Sequence, residues 1–497
     1  MAAIGGFPDL NAVERPNILF AISDDQSWMH TGANGDSSIR TPAFDRVARE
    51  GVRFEFAYCA SPSCAPSRAA LLTGRHIWQL EEGGILFGVL KPDTYPVFTS
   101  LLEAGGYELA ATGKTYGPGR TENRSAGEVF GRNFNSIKLS EQRRGLNSTD
   151  YAANFDAFLS ARDRSKPFFF WFGATEPHQN YDVGAWKKAG KTLDQALLPG
   201  CLPDHPITRG EILDYGLEIE HFDQHLGRML ASLERAGELD KTLVIVTSDH
   251  GNPLPRSKCN LYDSGTRVPL ALRLPQSIPG GRVVSDFVSL VDLAPTFLDY
   301  AGLHVPDVVS GRSLVPILRS KREGRVDENR ASVVTGFERH IICRRDGVGY
   351  PMRSLRTDRW SYIRNYSPDR WPAGDPDFMS SHQGFYGDVD KGSSKDFMLS
   401  QAMNPKIRPF FLRAFGRRPA EELYDMTKDP SQLRNLAASS EHRGVLEEMR
   451  EGLNQALDSL QDPRRQGVNP WDTYPFTDQR IFGNPEWRRE GFSTALP

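Results

Sequence analysis

Cysteine is scarce in this chain of 497 residues, which contains only Cys59, Cys64, Cys201, Cys259 and Cys343. Five scattered cysteines are too few for a disulfide framework, and none form the CxxC pairs of a zinc site. Long hydrophobic runs are also lacking: no stretch approaches 18 consecutive apolar residues, so the sequence predicts no membrane span. Internal repeats and low-complexity tracts are absent as well.

An excess of charge is missing too, because 60 Lys and Arg residues nearly balance 63 Asp and Glu residues. A net charge of -3 gives no electrostatic bias towards nucleic acid. The composition, 39% hydrophobic and 25% charged, is typical of a soluble globular protein. The length predicts one large domain with a smaller one, or two domains. Residues 1–15 lack the basic and apolar regions of a leader, which leaves a cytoplasmic protein or a leader outside this sequence.

The stretch around which the chain is organised is Cys64-Ala65-Pro66-Ser67-Arg68. Proline suits the first turn of a helix and the following Ala-Ala-Leu-Leu run favours helix, so Cys64 is predicted at a helix N-terminus. Free backbone N–H groups and the helix dipole favour negative charge there, and Arg68 follows one turn later on the same face. The pattern predicts an anion site, and the alternative is a buried structural cysteine.

This pentapeptide and the Leu-Thr-Gly-Arg sequence at 72–75 resemble the signature of the type I sulfatases of the alkaline phosphatase superfamily. In that family the cysteine is oxidised to formylglycine, whose hydrated aldehyde is the nucleophile. The resemblance therefore implies that Cys64 is the precursor of the catalytic group. It also implies a formylglycine-generating enzyme as a partner during maturation.

Acidic residues follow two apolar runs that read as buried strands, residues 16–23 and 243–248. The carboxyl ends of such strands are where α/β folds bind ligands, and hard cations prefer oxygen donors. Taken alone, each motif is equally a turn or a cap. Both resemble the metal motifs of the sulfatases, which implies a divalent cation. Ca²⁺ is expected, while an imidazole ligand leaves Mn²⁺ and Zn²⁺ open. The implied ligands are Asp24, Asp25, Asp249, His250 and Cys64.

Further strand ends carry basic residues that the family places around sulfate, although each could also be an ordinary loop residue. The resemblance implies that Lys114 and Lys258 bind sulfate beside Arg68 and that His178 reaches the leaving group. Tyr116 departs from the family, because a histidine that contacts formylglycine is expected there. Substrate contacts are predicted for Tyr116, Glu176 and His340; the alternatives are that Glu176 supports a neighbouring site residue and that His340 belongs to a strand and its turn.

The buried strands predict an α/β fold, and the resemblance implies a large mixed β-sheet sandwiched by helices, as in alkaline phosphatase, with a smaller C-terminal α+β subdomain. The catalytic domain is predicted over residues 1–340 and the subdomain over 341–497. A long amphipathic helix is predicted over residues 211–236, with His221 and His225 as surface or packing residues. Within the family, the Pro-Met-Arg-Ser segment at 351–354 most resembles the N-sulfoglucosamine sulfohydrolase branch and its bacterial relatives.

These observations predict a hydrolase that removes an O-sulfate or N-sulfate from a sulfated saccharide such as a glycosaminoglycan fragment. The alternative enzyme is a phosphonate monoester or phosphodiester hydrolase of the same superfamily. A catalytically silent glycan-binding homologue is a third interpretation, favoured by Tyr116. Export to the periplasm or outside the cell is expected because polymeric sulfated glycans are extracellular. An oligomer is left open.

Overall fold

The computed structural model describes residues 15–380 and 383–475, and these form two main sheets with helices on both faces of the larger one. The strands are β1 (Asn17–Ser23), β2 (Val52–Tyr58), β3 (Val89–Leu90), β4 (Glu108–Gly113), β5 (Arg120–Thr121), β6 (Arg132–Asn133), β7 (Phe168–Gly173), β8 (Thr242–Ser248), β9 (Leu270–Arg273), β10 (Arg282–Ser289), β11 (Ser332–Phe337), β12 (Met352–Thr357), β13 (Trp360–Asn365) and β14 (Glu421–Asp425). The helices are α1 (Pro42–Glu50), α2 (Cys64–Thr73), α3 (Phe98–Ala104), α4 (Ala126–Phe130), α5 (Tyr151–Ala161), α6 (Ala185–Lys188), α7 (Pro206–Arg235), α8 (Asp263–Thr266), α9 (Leu293–Tyr300), α10 (Val315–Arg319), α11 (Ser393–Ser400), α12 (Arg408–Phe415) and α13 (Arg443–Ser459).

The large sheet has eight strands in the order β10-β2-β9-β8-β1-β7-β4-β6. Strand β9 runs antiparallel to β8 and β2, and the other neighbours pair in parallel, so the sheet is mixed as predicted. Four consecutive neighbours, β8, β1, β7 and β4, are parallel. Their carboxyl ends therefore meet at one edge, and the functional motifs follow these strands.

Two hydrophobic cores flank the sheet, because successive side chains of a strand point to opposite faces. In β1, Ile18 and Phe20 belong to one core while Leu19 and Ala21 belong to the other. The first core is covered by helices α2, α3 and α9, and the second by α1, α5 and α7. Burial on both faces explains why these strands read as continuous apolar runs.

The smaller sheet is antiparallel, in the order β11-β12-β13-β14, and helix α13 packs on it. Its residues continue the first core, since Leu355 and Tyr362 share a cluster with Leu453 and Leu457 of α13. The sheet begins with β11 at residues 332–337, before residue 341, where the subdomain was predicted to start. The domain boundary itself stays a prediction.

Two helices show how local sequence sets helix ends. Helix α1 begins after Thr41, has proline in its first turn and ends at Glu50, before Gly51. Helix α7 begins five residues earlier than predicted, because His205 caps it and Pro206 occupies its first position. Its His221 and His225 are buried and pack edge to face. No helix of the described ranges combines the length and apolar character needed to cross a bilayer.

Candidate active site

Four strand ends and one helix start deliver the predicted residues to a single place. Asp24 and Asp25 follow β1, Lys114 follows β4, and Asp249 and His250 follow β8. Asp25 has a left-handed backbone with φ 69°, and its N–H donates to Asp249 Oδ1 at 3.1 Å. Asp24 N–H donates to the Glu176 carbonyl after β7. The turns after three neighbouring strands are thus bonded to one another.

Cys64 is the first residue of helix α2, with Ser63 as the N-cap, in agreement with the sequence prediction. The helix is buried along its whole length, so its polar residues contact protein groups. Cys64 Sγ lies 3.4 Å from His250 Nε2 and 4.0 Å from Asp25 Oδ1. The sulfur therefore faces the acidic residues from the positive end of the helix dipole.

A buried group of ligand atoms suits a divalent cation. Side-chain atoms of Asp24, Asp25, Cys64 and His250 all lie within 4.8 Å of one another. His250 Nδ1–H donates to the Gly251 carbonyl at 3.0 Å, so Nε2 faces the carboxylates and lies 3.0 Å from Asp25 Oδ1. Asp249 lies outside this group. Its Oδ1 accepts two backbone N–H groups and its Oδ2 accepts from Arg68 Nε at 2.9 Å, so its role as a metal ligand stays a prediction.

Two cations, the partly buried Lys114 and the buried Arg68, contact these carboxylates. Lys114 Nζ lies 2.8 and 2.6 Å from the two oxygens of Asp24. Arg68 is fully buried, and its Nη1 donates to the carbonyls of Lys114 and Thr115. Arg68 Nη2 has no hydrogen-bond partner within the described part of the chain and lies 3.5 Å from Asp24 Oδ1. A buried unpaired guanidinium N–H is a donor that an anion could satisfy.

A third cation, Lys258, is held by a residue that the sequence analysis did not identify. Its buried Nζ lies 2.9 Å from Asp25 Oδ2 and 2.9 Å from Asp390 Oδ2. The other Asp390 oxygen accepts from Gln383 Nε2 at 2.9 Å. Asp390 follows a polar segment without a motif or strand signal, so nothing local in the sequence marked it.

The charges shift the acid–base properties of the group. Burial opposes ionisation of Asp25, but Lys258 and His250 outweigh it and hold its pKa well below the ordinary value. Burial raises the pKa of Asp24, with Lys114 opposing. Burial also disfavours charge on His250, yet Asp249 and Asp25 raise its pKa well above the usual value. The negative carboxylates that favour a proton on the His250 imidazole also favour a metal cation. The cation and the proton compete for the same Nε2 lone pair.

His178 and Glu176 follow β7 but are placed differently. His178 is partly exposed, with Nδ1 against the Gln179 carbonyl and Nε2 3.9 Å from Asp25 Oδ2 and 4.0 Å from Asp390 Oδ2. Glu176 is buried, and its oxygens accept from Asn147 N–H at 2.7 Å and the Tyr151 hydroxyl at 2.9 Å. Glu176 therefore holds the 145–147 loop in place, and its contact with substrate stays a prediction.

Tyr116 and His340 both lie beside the start of helix α2. The Tyr116 ring packs against the cluster that contains Cys64 and Ala65, and its hydroxyl is buried without a hydrogen-bond partner among the described residues. His340 Nδ1 lies 2.8 Å from Ser63 Oγ, next to the nucleophile position. Burial, assisted by Lys258, lowers the pKa of His340 to about 4, so it is neutral at physiological pH. Contact of either residue with substrate stays a prediction.

Comparison with known families gives two matches along the chain. The family model described as Sulfatase matches residues 16–303, which is more than half of the chain and includes the large sheet. A second model, described as N-sulphoglucosamine sulphohydrolase, C-terminal, matches residues 256–376. Together they span most strand-end residues of the site and the first strands of the small sheet.

Individual relatives match this chain over at least 90% of its length. Human N-sulphoglucosamine sulphohydrolase is 28% identical over 492 residues, covering 90% of this chain and 91% of the relative. A solved structure in complex with its substrate D-glucosamine-2-N,6-O-disulfate has a TM-score of 0.63 at 20% identity, covering 90% of this chain and 99% of that one. A phosphonate monoester hydrolase from Silicibacter pomeroyi has a TM-score of 0.61 at 18% identity, covering 90% and 96%. At these identities the two structures establish the fold alone.

Proposed function

Because this chain belongs to the sulfatase family, we propose that it hydrolyses the sulfate ester or N-sulfate of a sulfated carbohydrate. The observation that carries the proposal is the convergence of Cys64 with Asp24, Asp25 and His250 within 4.8 Å, next to buried cations. The human relative named N-sulphoglucosamine sulphohydrolase supports this substrate class. Within it, an N-sulfated glucosamine is our first choice.

Sulfate is a poor electrophile while its negative charge is unshielded, so the site must supply positive charge where the transition state develops it. Arg68 and Lys258 are buried and Lys114 is partly buried, and carboxylates hold all three cations in position before any substrate arrives. The unpaired Arg68 Nη2 is a donor for a sulfate oxygen. Fixed charges of this kind require little reorganisation during the reaction, which makes them effective in a buried site.

The donor set fits a divalent cation, since two aspartates, one imidazole and the Cys64 position converge. Oxygen donors favour Ca²⁺, and His250 would also suit Mn²⁺ or Zn²⁺. Bound there, the cation would supply Lewis-acid polarisation of a sulfate oxygen. Asp249 orients Arg68, and the Gly251 carbonyl fixes the ring of His250.

Family membership implies formylglycine at Cys64, and we propose that a formylglycine-generating enzyme matures this chain. The aldehyde supplies a hydrated nucleophile that can later release sulfate, which a thiol cannot do. A neighbouring residue supplies the proton that the leaving group needs. His178 holds Nε2 towards the pocket because Nδ1–H donates to the Gln179 carbonyl, and in the doubly protonated form of the ring Nε2–H is placed to protonate the departing amine or alcohol. Export from the cytoplasm and any oligomer also remain proposals.

The test begins with protein made together with a formylglycine-generating system. Peptide mass spectrometry of residues 53–75 measures whether Cys64 has exchanged its thiol for an aldehyde oxygen. Matured protein is then assayed with N-sulfated and O-sulfated glucosamine and, in parallel, with an aryl phosphonate monoester. We expect conversion of Cys64 and release of sulfate. A plain thiol after competent maturation, or binding of sulfated sugar without turnover, would contradict the proposal.

The second candidate function is phosphonate monoester hydrolysis, favoured by the imidazole of His250 among the ligand atoms and by Tyr116 in place of a histidine. The fold is shared with a phosphonate monoester hydrolase. Faster turnover of the phosphonate than of any sulfated sugar in the parallel assay would establish this alternative.

A further inference from the structure

A groove leads from the catalytic residues across the outer surface of helix α7. A cavity of about 360 Å³ is lined by Asp24, Lys114 and His178 together with residues 145–147, 175 and 179. A second cavity of about 1380 Å³ shares Gly145, Leu146 and Gln179 with the first. The larger volume exceeds the roughly 300–1,000 Å³ of a pocket for one small ligand. We call this second cavity the α7 groove.

We propose that the α7 groove binds the remainder of an anionic oligosaccharide whose sulfated sugar occupies the catalytic cavity. This inference rests on the proposed function and adds the length and charge of the substrate. It predicts a substrate of several sugar rings, with negatively charged groups beyond the ring that loses sulfate.

The first support is a buried polar atom at the junction of the two cavities. Gln179 donates through Nε2 to Glu211 Oε1 at 3.1 Å, while its buried Oε1 has no hydrogen-bond partner within the described ranges. An unpaired buried amide oxygen costs free energy unless a ligand donor or water reaches it. A sugar hydroxyl or amine that passes from one cavity into the other would provide such a donor.

The second support is an aromatic surface with basic residues beside it. Trp186 of α6 is half-buried, and a Cβ on Gly210 would lie only 3.0 Å from its Nε1, so the indole packs directly on α7. An indole offers a flat apolar face, with a polar N–H, against which the C–H face of a sugar ring can pack. Lys187 Nζ lies 5.2 Å from the centre of that ring. Exposed Arg144 and Lys391 also line the groove, against one exposed acid, Asp396.

The third support is that the walls are fixed in place by two buried carboxylates of α7. Asp214 accepts from the N–H groups of Gly184 and Trp186 at 2.7 and 2.8 Å. Glu211 accepts from the N–H groups of Ser393 and Ser394 at 2.9 and 2.7 Å, and from Gln179. Three separate segments are thus bonded to one helix. A groove that is formed beforehand loses less entropy when it binds a chain.

The experiment measures binding by calorimetry in a Cys64→Ala background, which prevents turnover. The ligands are N-sulfated glucosamine and a tetrasaccharide of alternating uronic acid and glucosamine that ends in the same N-sulfated sugar. We expect Trp186→Ala to weaken binding of the tetrasaccharide roughly tenfold and to leave the affinity for the monosaccharide unchanged. Lys187→Ala should weaken binding of the tetrasaccharide about two- to fivefold, by an amount that depends on the salt concentration. Lys188→Ala is the matched control, because Lys188 is adjacent and does not line the groove.

The inference is wrong if the tetrasaccharide binds no more tightly than the monosaccharide, or if Lys187→Ala and Lys188→Ala behave alike. The lysine variants keep the test decisive if Trp186→Ala does not fold. Turnover by matured protein is measured separately with both ligands. Tight tetrasaccharide binding without sulfate release would overturn the proposed function and support the α7 groove. Release of sulfate from both ligands at equal kcat/KM would support the proposed function and overturn the α7 groove.

Discussion

The Asp390→Asn variant keeps the shape of a buried side chain and removes its charge, so it isolates the part that Asp390 plays in holding Lys258. One Asp390 oxygen lies 2.9 Å from Lys258 Nζ and the other 2.9 Å from Gln383 Nε2. An asparagine must turn its NH₂ group towards one of these donors. Gln383 cannot turn its amide to compensate without loss, because its Oε1 accepts from the Lys391 N–H at 2.8 Å.

The variant therefore loses one charge-assisted hydrogen bond, whose contribution is about 1.5–3 kcal/mol. Lys258 retains Asp25 as its second partner, at 2.9 Å, so it stays charged but less well positioned. At about 1.4 kcal/mol per factor of ten, kcat/KM for a sulfated sugar should fall roughly 10- to 100-fold. The unfolding free energy should fall by a similar amount or less, because the buried ammonium keeps one carboxylate.

The assay is a double-mutant cycle with Lys258→Ala, measured on matured protein. If Asp390 acts through Lys258, the double variant should be no less active than Lys258→Ala alone. Asp377→Asn is the control, because Asp377 pairs with exposed Arg345 and such pairs contribute little. Independent, additive losses in the cycle would refute the reasoning, as would full activity of Asp390→Asn.

Three further predictions concern the nucleophile, the cation and a buried acid. Cys64→Ala should abolish sulfate release with little change in melting temperature, and residual turnover above background would contradict the assigned nucleophile. Removing divalent ions with a chelator should lower the melting temperature and Ca²⁺ should restore it, since a ligand of the native state alone stabilises by about 2.7 kcal/mol at 100 times its Kd. An Asp25→Ala variant that responds equally would argue against this site. Burial raises the pKa of Glu218 to about 10, from 4.5 in the unfolded chain. Above pH 4.5 the unfolded chain gains free energy by ionising this carboxyl and the folded protein does not, so the wild type loses stability as the pH rises. Glu218→Gln cannot ionise and lacks this loss. Its unfolding free energy relative to the wild type, measured with denaturant, should therefore increase between pH 5 and 8 by at most about 1.4 kcal/mol per pH unit. An advantage that does not change with pH would exclude a neutral Glu218.

The agreement between sequence and structure is best where the determinants are local. The start of helix α2 at Cys64 follows from proline and small residues within a few positions, and the structure confirms it. The early start of α7 was missed because a histidine cap before Pro206 is a weaker signal than an amphipathic stripe. The burial of Glu176 against Asn147 and Tyr151 could not be predicted, because these partners lie 29 and 25 residues away.

The sequence by itself determined which residue types stand at the strand ends, and hence the family and the acidic and basic character of the site. Parallel strands bring their carboxyl ends to one edge, so a motif after each strand is enough to predict convergence. Only the tertiary structure decided which cation pairs with which carboxylate. Asp390 reaches Lys258 across 132 residues, and no local pattern encodes a contact of that range. The α7 groove has the same origin, because its walls come from separate segments that meet only when two buried carboxylates of α7 bind their backbones.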